Sequence, residues 1–340
     1  MVYIVRRLLL LIPVMIGVTL ITFAIGFVIP TDPVHAWAGQ KASADELARI
    51  RIMMGFDRPW YIQYWNYISR LSHLDFGLMP SQGFRPVSQE LALRFPATIE
   101  LTSVAMILAV ILGIPTGIVS ATRKDRLPDH ITRAVALSGV SIPIFWLGIM
   151  LLWFFYGYLK IEQFAPVGRL SDANQAWYVT HTITGIVTVD SLLQGNVPVF
   201  WDALLHLLLP AFALAYTTMA LITRMMRSSM LEVLGQDYIK AARAKGLSER
   251  VVIKKHAKRN AMIPTTTVIG LSFGGLLGGA VLTETVFTYP GMGQWSVRML
   301  VSLDFTGVMA LTFITALIYV FANLFVDIVY AYLDPRIKLE

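Results

Sequence analysis

Six stretches of this 340-residue chain stay apolar for about as long as a helix needs to cross a bilayer. They cover roughly 8–29, 97–121, 131–159, 201–225, 262–286 and 307–332. A spanning helix takes ~20 predominantly apolar residues, and backbone in hydrocarbon must satisfy its own hydrogen bonds. The pattern therefore predicts an all-α polytopic membrane protein rather than a domain with a conventional soluble core. An apolar fraction of 56% and a mean hydropathy of +0.63 agree. A cleaved signal is the competing reading of the first run, because Ala36-Trp37-Ala38 resembles a cleavage site. That run exceeds the ~7 to 15 residues of a signal core, and Pro30, Asp32 and Pro33 separate it from the site. It is expected to be retained.

Charge orients the spans. One side collects Arg6, Arg7, Arg123, Lys124, Arg126, Arg133, the ten Lys and Arg from Arg224 to Arg259, Arg336 and Lys338. That is eighteen of twenty-eight, and the remainder lie mostly in 31–95, where loop length weakens the rule. Both termini and the 226–261 loop are expected in the cytoplasm. The same rule accounts for the net charge of +7, so no nucleic-acid partner is expected. The organisation predicted is a first transmembrane helix (1–30), an external segment (31–96) and a core of five transmembrane helices (97–340) with a second external loop at 160–200. Within 31–96, Ala44 to Met54 is amphipathic, and Trp60, Tyr61, Tyr64, Trp65 and Tyr67 follow. These read as short helices on the membrane face or over the bundle, with an aromatic ligand site as the alternative. The 160–200 loop reads as a lid or as a docking surface for an external partner. Trp201 and Trp295 are expected in an aromatic belt.

Signals inside the spans are modest. Gly270, Gly274 and Gly278 recur every four residues, as do Gly275 and Gly279, which suits close helix packing or a flexible gate. Gly113, Pro115 and Gly117 form a second weak point, and Pro143 and Pro210 are candidate kinks. Glu100, Asp202, His206, Glu284 and Asp327 are ionisable groups in or near spans, each a site candidate by its cost in hydrocarbon. Most lie close enough to a span end to be interface anchors. They do not assemble into a proton relay, and the six histidines have no ligand spacing, so no metal is expected. Glu284 and Asn323, with Gly274 and Gly278, are the candidates for the translocation path. The chain has no cysteine, which excludes disulfides and thiolate chemistry.

The most informative stretch runs from Asp237 to Pro264. It is basic, alanine-rich and set between two apolar runs. Lys240-Ala241-Ala242 is followed by Gly246, and the two alanines leave a small surface that a partner's backbone can approach. Gly246 permits a left-handed turn ending one helix, and Ser248 can cap the next. The alternative is a solvated loop that is basic only to set orientation. No G-x-x-x-x-G-K-[ST] is present, and no nucleophile motif or paired carboxylates appear. A pore with a grip and no motor implies a motor on another chain.

Over nearly its whole length the chain resembles the B-type permease subunits of dipeptide and oligopeptide ABC importers. The resemblance rests on Arg6-Arg7-Leu-Leu-Leu-Leu-Ile-Pro13, Ile29-Pro-Thr-Asp-Pro33, Ser141-Ile-Pro-Ile-Phe-Trp146, Arg227 to Leu234, Asp237 to Leu247, Arg259-Asn-Ala-Met-Ile-Pro264, Thr283 to Gly293 and Asp334-Pro-Arg-Ile337. The cytoplasmic loop is similar to that family's EAA motif. Lys240 stands where the general motif has Glu, and Arg259 stands where it has proline, as in the peptide subfamily. Thr31 replaces a usual glycine.

The resemblance implies a type I ABC importer transmembrane domain with six transmembrane helices, in the cytoplasmic (inner) membrane. It implies a paralogous second permease, two cytoplasmic ATPases and an external binding protein. This chain would be non-catalytic and hold no cofactor, with ATP and Mg on the ATPases. Asp237, Lys240, Ala241, Ala242, Arg243, Gly246, Leu247 and Ser248 would form the ATPase-coupling loop, its coupling helix the short one starting near Gly246. ATP-driven closure would move the pore by alternating access. Oligosaccharide and nickel-chelate importers share the architecture. A proton-coupled secondary transporter would need a relay and internal repeats, and neither is evident. A structural or assembly protein that transports nothing is the third class, and the coupling loop argues against it.

Overall fold

The computed structural model of the chain describes residues 12–24, 34, 37, 42–166, 168–277 and 280–333, the last nine as helical backbone alone. The described chain is helical apart from one small hairpin, in which Leu78–Met79 pairs antiparallel with Arg85–Pro86. Helix α1 is Ile12–Ala24, α2 is Ala44–Met54 and α3 is Trp60–Ser72. Helix α2 has the predicted bounds. Ser43 and Glu46 close a capping box at its start, and Gly55 ends it with φ of +71°.

Helix α4, Val87–Thr122, has 36 residues and is longer than the predicted 97–121. At 1.5 Å per residue it reaches about 54 Å, well beyond a hydrocarbon core of ~30 Å. Helix α5 (Leu127–Ser141) and α6 (Ile144–Tyr158) meet at a bend of 101°, where Pro143 caps α6. The residue before a proline is pushed out of the helical region, so Ile142 adopts ψ of 123°. Pro143, a candidate kink in the third apolar run, thus stands at a sharp break between two helices. Short helices α7 (Asp172–Thr180) and α8 (Val187–Leu193) lead to α9, Val197–Leu234, of 38 residues. Helix α9 runs as one helix through Pro210, the candidate kink. Helix α10 is Asp237–Ala244, and α11 is Glu249–Leu277 with a wider π turn over Val252–Ala257.

The fifth span was expected to continue to Val286. Instead α11 is described to Leu277, Ala280 is non-helical, and two short helices follow, α12 (Val281–Val286) and α13 (Met292–Val301). The glycine-rich end of α11 has low helix propensity, which favours a break there. Helix α14, Phe305–Leu333, closes the chain. Helices α4, α9, α11 and α14 are each long and apolar enough to cross a membrane, and the bent α5–α6 pair is long and apolar enough for a fifth passage, as a broken span or a re-entrant loop. Helix α1 is apolar but shorter, and the remainder of the expected 8–29 span lies outside the described residues.

The core sits where α4 and α9 cross, around Leu101, Ala105, Leu207, Ala211 and Ile222. Gly113 and Gly117 serve that crossing. A Cβ on Gly117 would lie 2.7 Å from Cβ of Met226 and 2.8 Å from the Thr223 carbonyl oxygen. These glycines are close-packing positions rather than a weak point. Trp295 is also corrected: it is fully buried with Met79, Val87 and Met299, whereas Trp201 is 56% exposed and free to sit in a belt.

Candidate functional site

The fold gathers the basic loops at one end. Ala121 of α4, Met226 and Met230 of α9, Ile239 and Ala242 of α10, and Val252, Ala257 and Ala261 of α11 share one apolar cluster. Helix α9, at 38 residues longer than a hydrocarbon core requires, delivers α10 to this end. Gln236 accepts the Ile239 and Lys240 amides through its carbonyl, opening α10 at 3.1 and 3.3 Å. Ile239 and Ala242, three apart, turn inward. Ala241 faces solvent with Lys240 and Ala244. The predicted alanine pair is therefore split: Ala242 packs the loop onto the bundle, and Ala241 belongs to its outer surface.

Gly246 has φ of +76° and donates to the Arg243 carbonyl at 2.9 Å. A Cβ there would meet open space, so backbone conformation alone demands glycine. Ser248 stands in extended conformation at the start of α11, but its hydroxyl makes no cap bond; its carbonyl accepts the Val251 and Val252 amides. No separate short helix follows Gly246: α11 starts at Glu249 and continues through the π turn into its apolar part. Across the turn Arg243 donates Nε and Nη2 to Glu249 at 3.1 and 2.7 Å. The pair is 42% and 56% exposed, so it fixes geometry more than it stabilises. Lys240 reaches Asp237 at 2.9 Å, and Tyr238 accepts from Asn260 at 2.8 Å. Leu247 is exposed beside Gly246.

Beneath this loop lies a cluster that the sequence reading missed. Asp129 of α5 is fully buried. It accepts from Ser120 Oγ, the Asp125 amide, and Arg227 Nε and Nη2. Three helices and the α4–α5 turn thus meet on one carboxylate. A signal exists in the sequence: Arg227 is a cation inside a largely apolar helix and needs a partner.

The opposite end is held by carboxylates too. Glu100 of α4 accepts from Arg169 Nη2 at 2.5 Å, from the Thr188 amide and hydroxyl at 2.7 and 2.8 Å, and from Tyr289 at 3.1 Å. Asp202 accepts from the Ser171 amide and hydroxyl and from Asn174, and its Oδ1 lies 3.1 Å from His206. Asp190 accepts the amides of Ile183, Thr184 and Gly185 and the Thr184 hydroxyl. Burial raises the carboxyl pKa of Asp190, but these donors outweigh it and leave it below the ordinary value. Glu100 and Asp202 are therefore not interface anchors. They tie Arg169, Ser171, Asn174 and Thr188 down onto α4 and α9.

Glu284 is fully buried in α12. Thr98 donates to Oε1 at 2.8 Å, the Gln294 amide donates to Oε2 at 2.9 Å, and Thr98 itself accepts the Met292 amide at 2.8 Å. Gly291 leaves no space for a Cβ against the Glu284 carboxylate. Glu284 thus staples the α12–α13 hairpin to α4 and offers no free oxygen to a solute. Gly274 packs at the α11–α14 crossing, where a Cβ would lie 2.8 Å from Cβ of Ala322. Gly274 and Gly275 also border a mostly apolar cavity of about 730 Å³ between α1, α11, α13 and α14. Asn323 is half-buried beside Ala322; Gly278 and the Asp327 side chain lie outside the described residues. Among the described residues no group of His, Asp and Glu could hold a metal ion.

Residues 113–339 match the family described as binding-protein-dependent transport system inner membrane component, and residues 1–102 match its N-terminal family. The chain is 46% identical to the probable D,D-dipeptide transport system permease protein DdpB of Escherichia coli K12, over 96% of this chain and 94% of that one. It is 42% identical to the dipeptide transport system permease protein DppB of Alkalihalophilus pseudofirmus, over 99% of both. It is 37% identical to the glutathione transport system permease protein GsiC of Escherichia coli, again over 99% of both. The chain belongs to the binding-protein-dependent transport system inner membrane components, the multi-pass, non-catalytic permease subunits of ABC transporters with the type I importer membrane domain.

Proposed function

We propose that this chain is one pore-forming subunit of an ATP-driven importer that takes up dipeptides or oligopeptides handed over by an external binding protein. The observation that carries this reading is the near full-length identity to permeases named for dipeptide transport. The glutathione permease widens the solute class to short peptides. The outer surface of α10, with Asp237, Lys240, Ala241, Gly246 and Leu247, is the docking face for an ATPase. Ala242, Arg243 and Ser248 hold that face in shape from behind. Closure of the ATPases pushes on α10, and the Asp129–Arg227 cluster passes the push to α4, α5 and α9 as one body. At the other end the lid and the α12–α13 hairpin shut the bundle. The path runs near Gly274 and the cavity beside it.

The partner is a paralogous permease, because the described helices are too few to enclose a peptide-sized path while burying every backbone group. The orientation is six spans with both termini cytoplasmic, in the inner membrane. The charge asymmetry supports it, as does the meeting of Ala121, Ile239 and Val252 at one end. Purification through a tag on this chain tests the reading. It should recover two ATPases and a second permease, and recovery of the chain as a stable homodimer without ATPases would contradict it.

A further inference from the structure

We propose that the groove between α5 and the second half of α9 binds an anionic phospholipid, with the phosphate at the basic end and an acyl chain along the inner wall. The groove encloses about 610 Å³, room for a headgroup and the start of its chains. His130, Arg133, Arg224 and Arg227 line it, and no carboxylate does. Among the described residues neither Arg133 nor Arg224 has an ion pair. Arg227 uses Nε and Nη2 on Asp129 and Ser120, which leaves Nη1 for a ligand.

Arg224 lies ten residues before Leu234, about 15 Å along the helix, at the end of the 201–225 apolar run. Among the described residues it has no carboxylate partner, and a span end is the level at which a lipid phosphate can supply the counter-charge. The order of residues along the groove decides what brings that charge. On α5, His130 and Arg133 occupy the turns nearest the basic end, and Leu137 and Val140 continue the same wall deeper into the bundle. A free anion gains nothing from that apolar wall, whereas a lipid gains from both parts. Basic pockets between spans on the cytoplasmic side suit phosphate headgroups. The placement in the inner leaflet rests on the orientation proposed above.

The test uses the complete transporter, purified in detergent and delipidated. Phosphatidylglycerol, phosphatidylcholine or inorganic phosphate is added back, and bound lipid is counted by native mass spectrometry. The wild type is expected to retain phosphatidylglycerol well above phosphatidylcholine. The double substitution Arg133→Gln with Arg224→Gln should weaken that retention about thirtyfold, and Arg224→Lys should restore part of it. Arg49→Gln, on exposed α2, should change nothing. Equal phosphatidylglycerol retention by the double variant would overturn the proposal. Displacement of the lipid by millimolar inorganic phosphate would make it a free-anion site instead. Loss of the second permease from the double variant would mean that the cations pair with protein. All three readings are independent of orientation, which labelling of an introduced cysteine at Ser43 reports separately.

Discussion

Arg227 and Asp129 face each other as a two-point ion pair, Nε to Oδ1 and Nη2 to Oδ2, both at 2.8 Å, with Asp129 fully buried. The pair ties α9 to α5 directly beneath the coupling loop. Breaking it from one side leaves a buried charge uncompensated. Asp129→Ala should destabilise the chain by about 3 to 5 kcal/mol. Arg227→Met combined with Asp129→Leu should recover most of the loss, read as the melting temperature of the purified transporter. Equal melting of Asp129→Ala and wild type would remove the pair from the account.

Gly246 separates shape from docking. Its left-handed φ disfavours any Cβ by about 1 to 2 kcal/mol, although open space surrounds it. Gly246→Ala should reduce coupling mildly. Gly246→Arg should let ATP hydrolysis run without transport, or block assembly, while the chain still inserts. Wild-type transport by Gly246→Arg would rule out this face as the ATPase contact.

The lid hangs on Glu100 and Arg169. Arg169→Met should loosen this segment without releasing it, because Thr188 and Tyr289 remain on the Glu100 carboxylate and Ser171 and Asn174 remain on Asp202. The chain has no cysteine, so a single cysteine at Ser191, which is buried and whose hydroxyl bonds only within its own helix, can be labelled cleanly. Labelling should accelerate at least tenfold in Arg169→Met, by about 1.4 kcal/mol or more of lost closure. An unchanged rate would show the lid to be held elsewhere.

Asp190 gives the lid a pH dependence of known sign. Its folded pKa lies below the ordinary 3.8, so its stabilisation is full above that value and fades as pH falls through the folded value. Proteolysis of the 160–196 segment should be flat from about pH 8 to 5 and rise in stronger acid. Asp190→Asn should be cut faster at neutral pH. A wild-type rise already at neutral pH would contradict the assignment.

Adjacent glycines on α11 form a matched control. A Cβ at Gly274 meets Ala322 at 2.8 Å, and one at Gly275 meets nothing within 4 Å. Gly274→Ala should lower stability by about 1 to 3 kcal/mol. Gly275→Ala should be neutral or slightly stabilising, since alanine is the better helix former. Equal melting temperatures would place the α11–α14 crossing elsewhere.

Much of the fold is legible in the order of residues, because span length, the α2 pattern and the Pro143 break are local. The turn at Gly246 is legible for the same reason. What escapes is long-range. Glu100, Asp202 and Glu284 read as interface anchors because each stands near the end of an apolar run. Their partners lie far along the chain: Arg169 is 69 residues from Glu100, and Thr98 is 186 from Glu284. Nothing in a local pattern says whether a carboxylate meets headgroups or a folded-back loop. Ala241 and Ala242 look equivalent as neighbours, and only the helical phase set by Ile239 turns one inward. The α12–α13 hairpin escapes because the apolar run through 262–286 reads as one continuous span.

The central claim is that this chain is a pore that moves peptides only when driven by ATPases it does not contain. Uptake of a radiolabelled dipeptide into proteoliposomes tests it most directly. The chain, the second permease, two ATPases and the external binding protein together should accumulate the peptide with ATP, and removal of any one component or of ATP should abolish uptake. Accumulation by the purified chain alone, without ATP or under a proton gradient, would contradict the account.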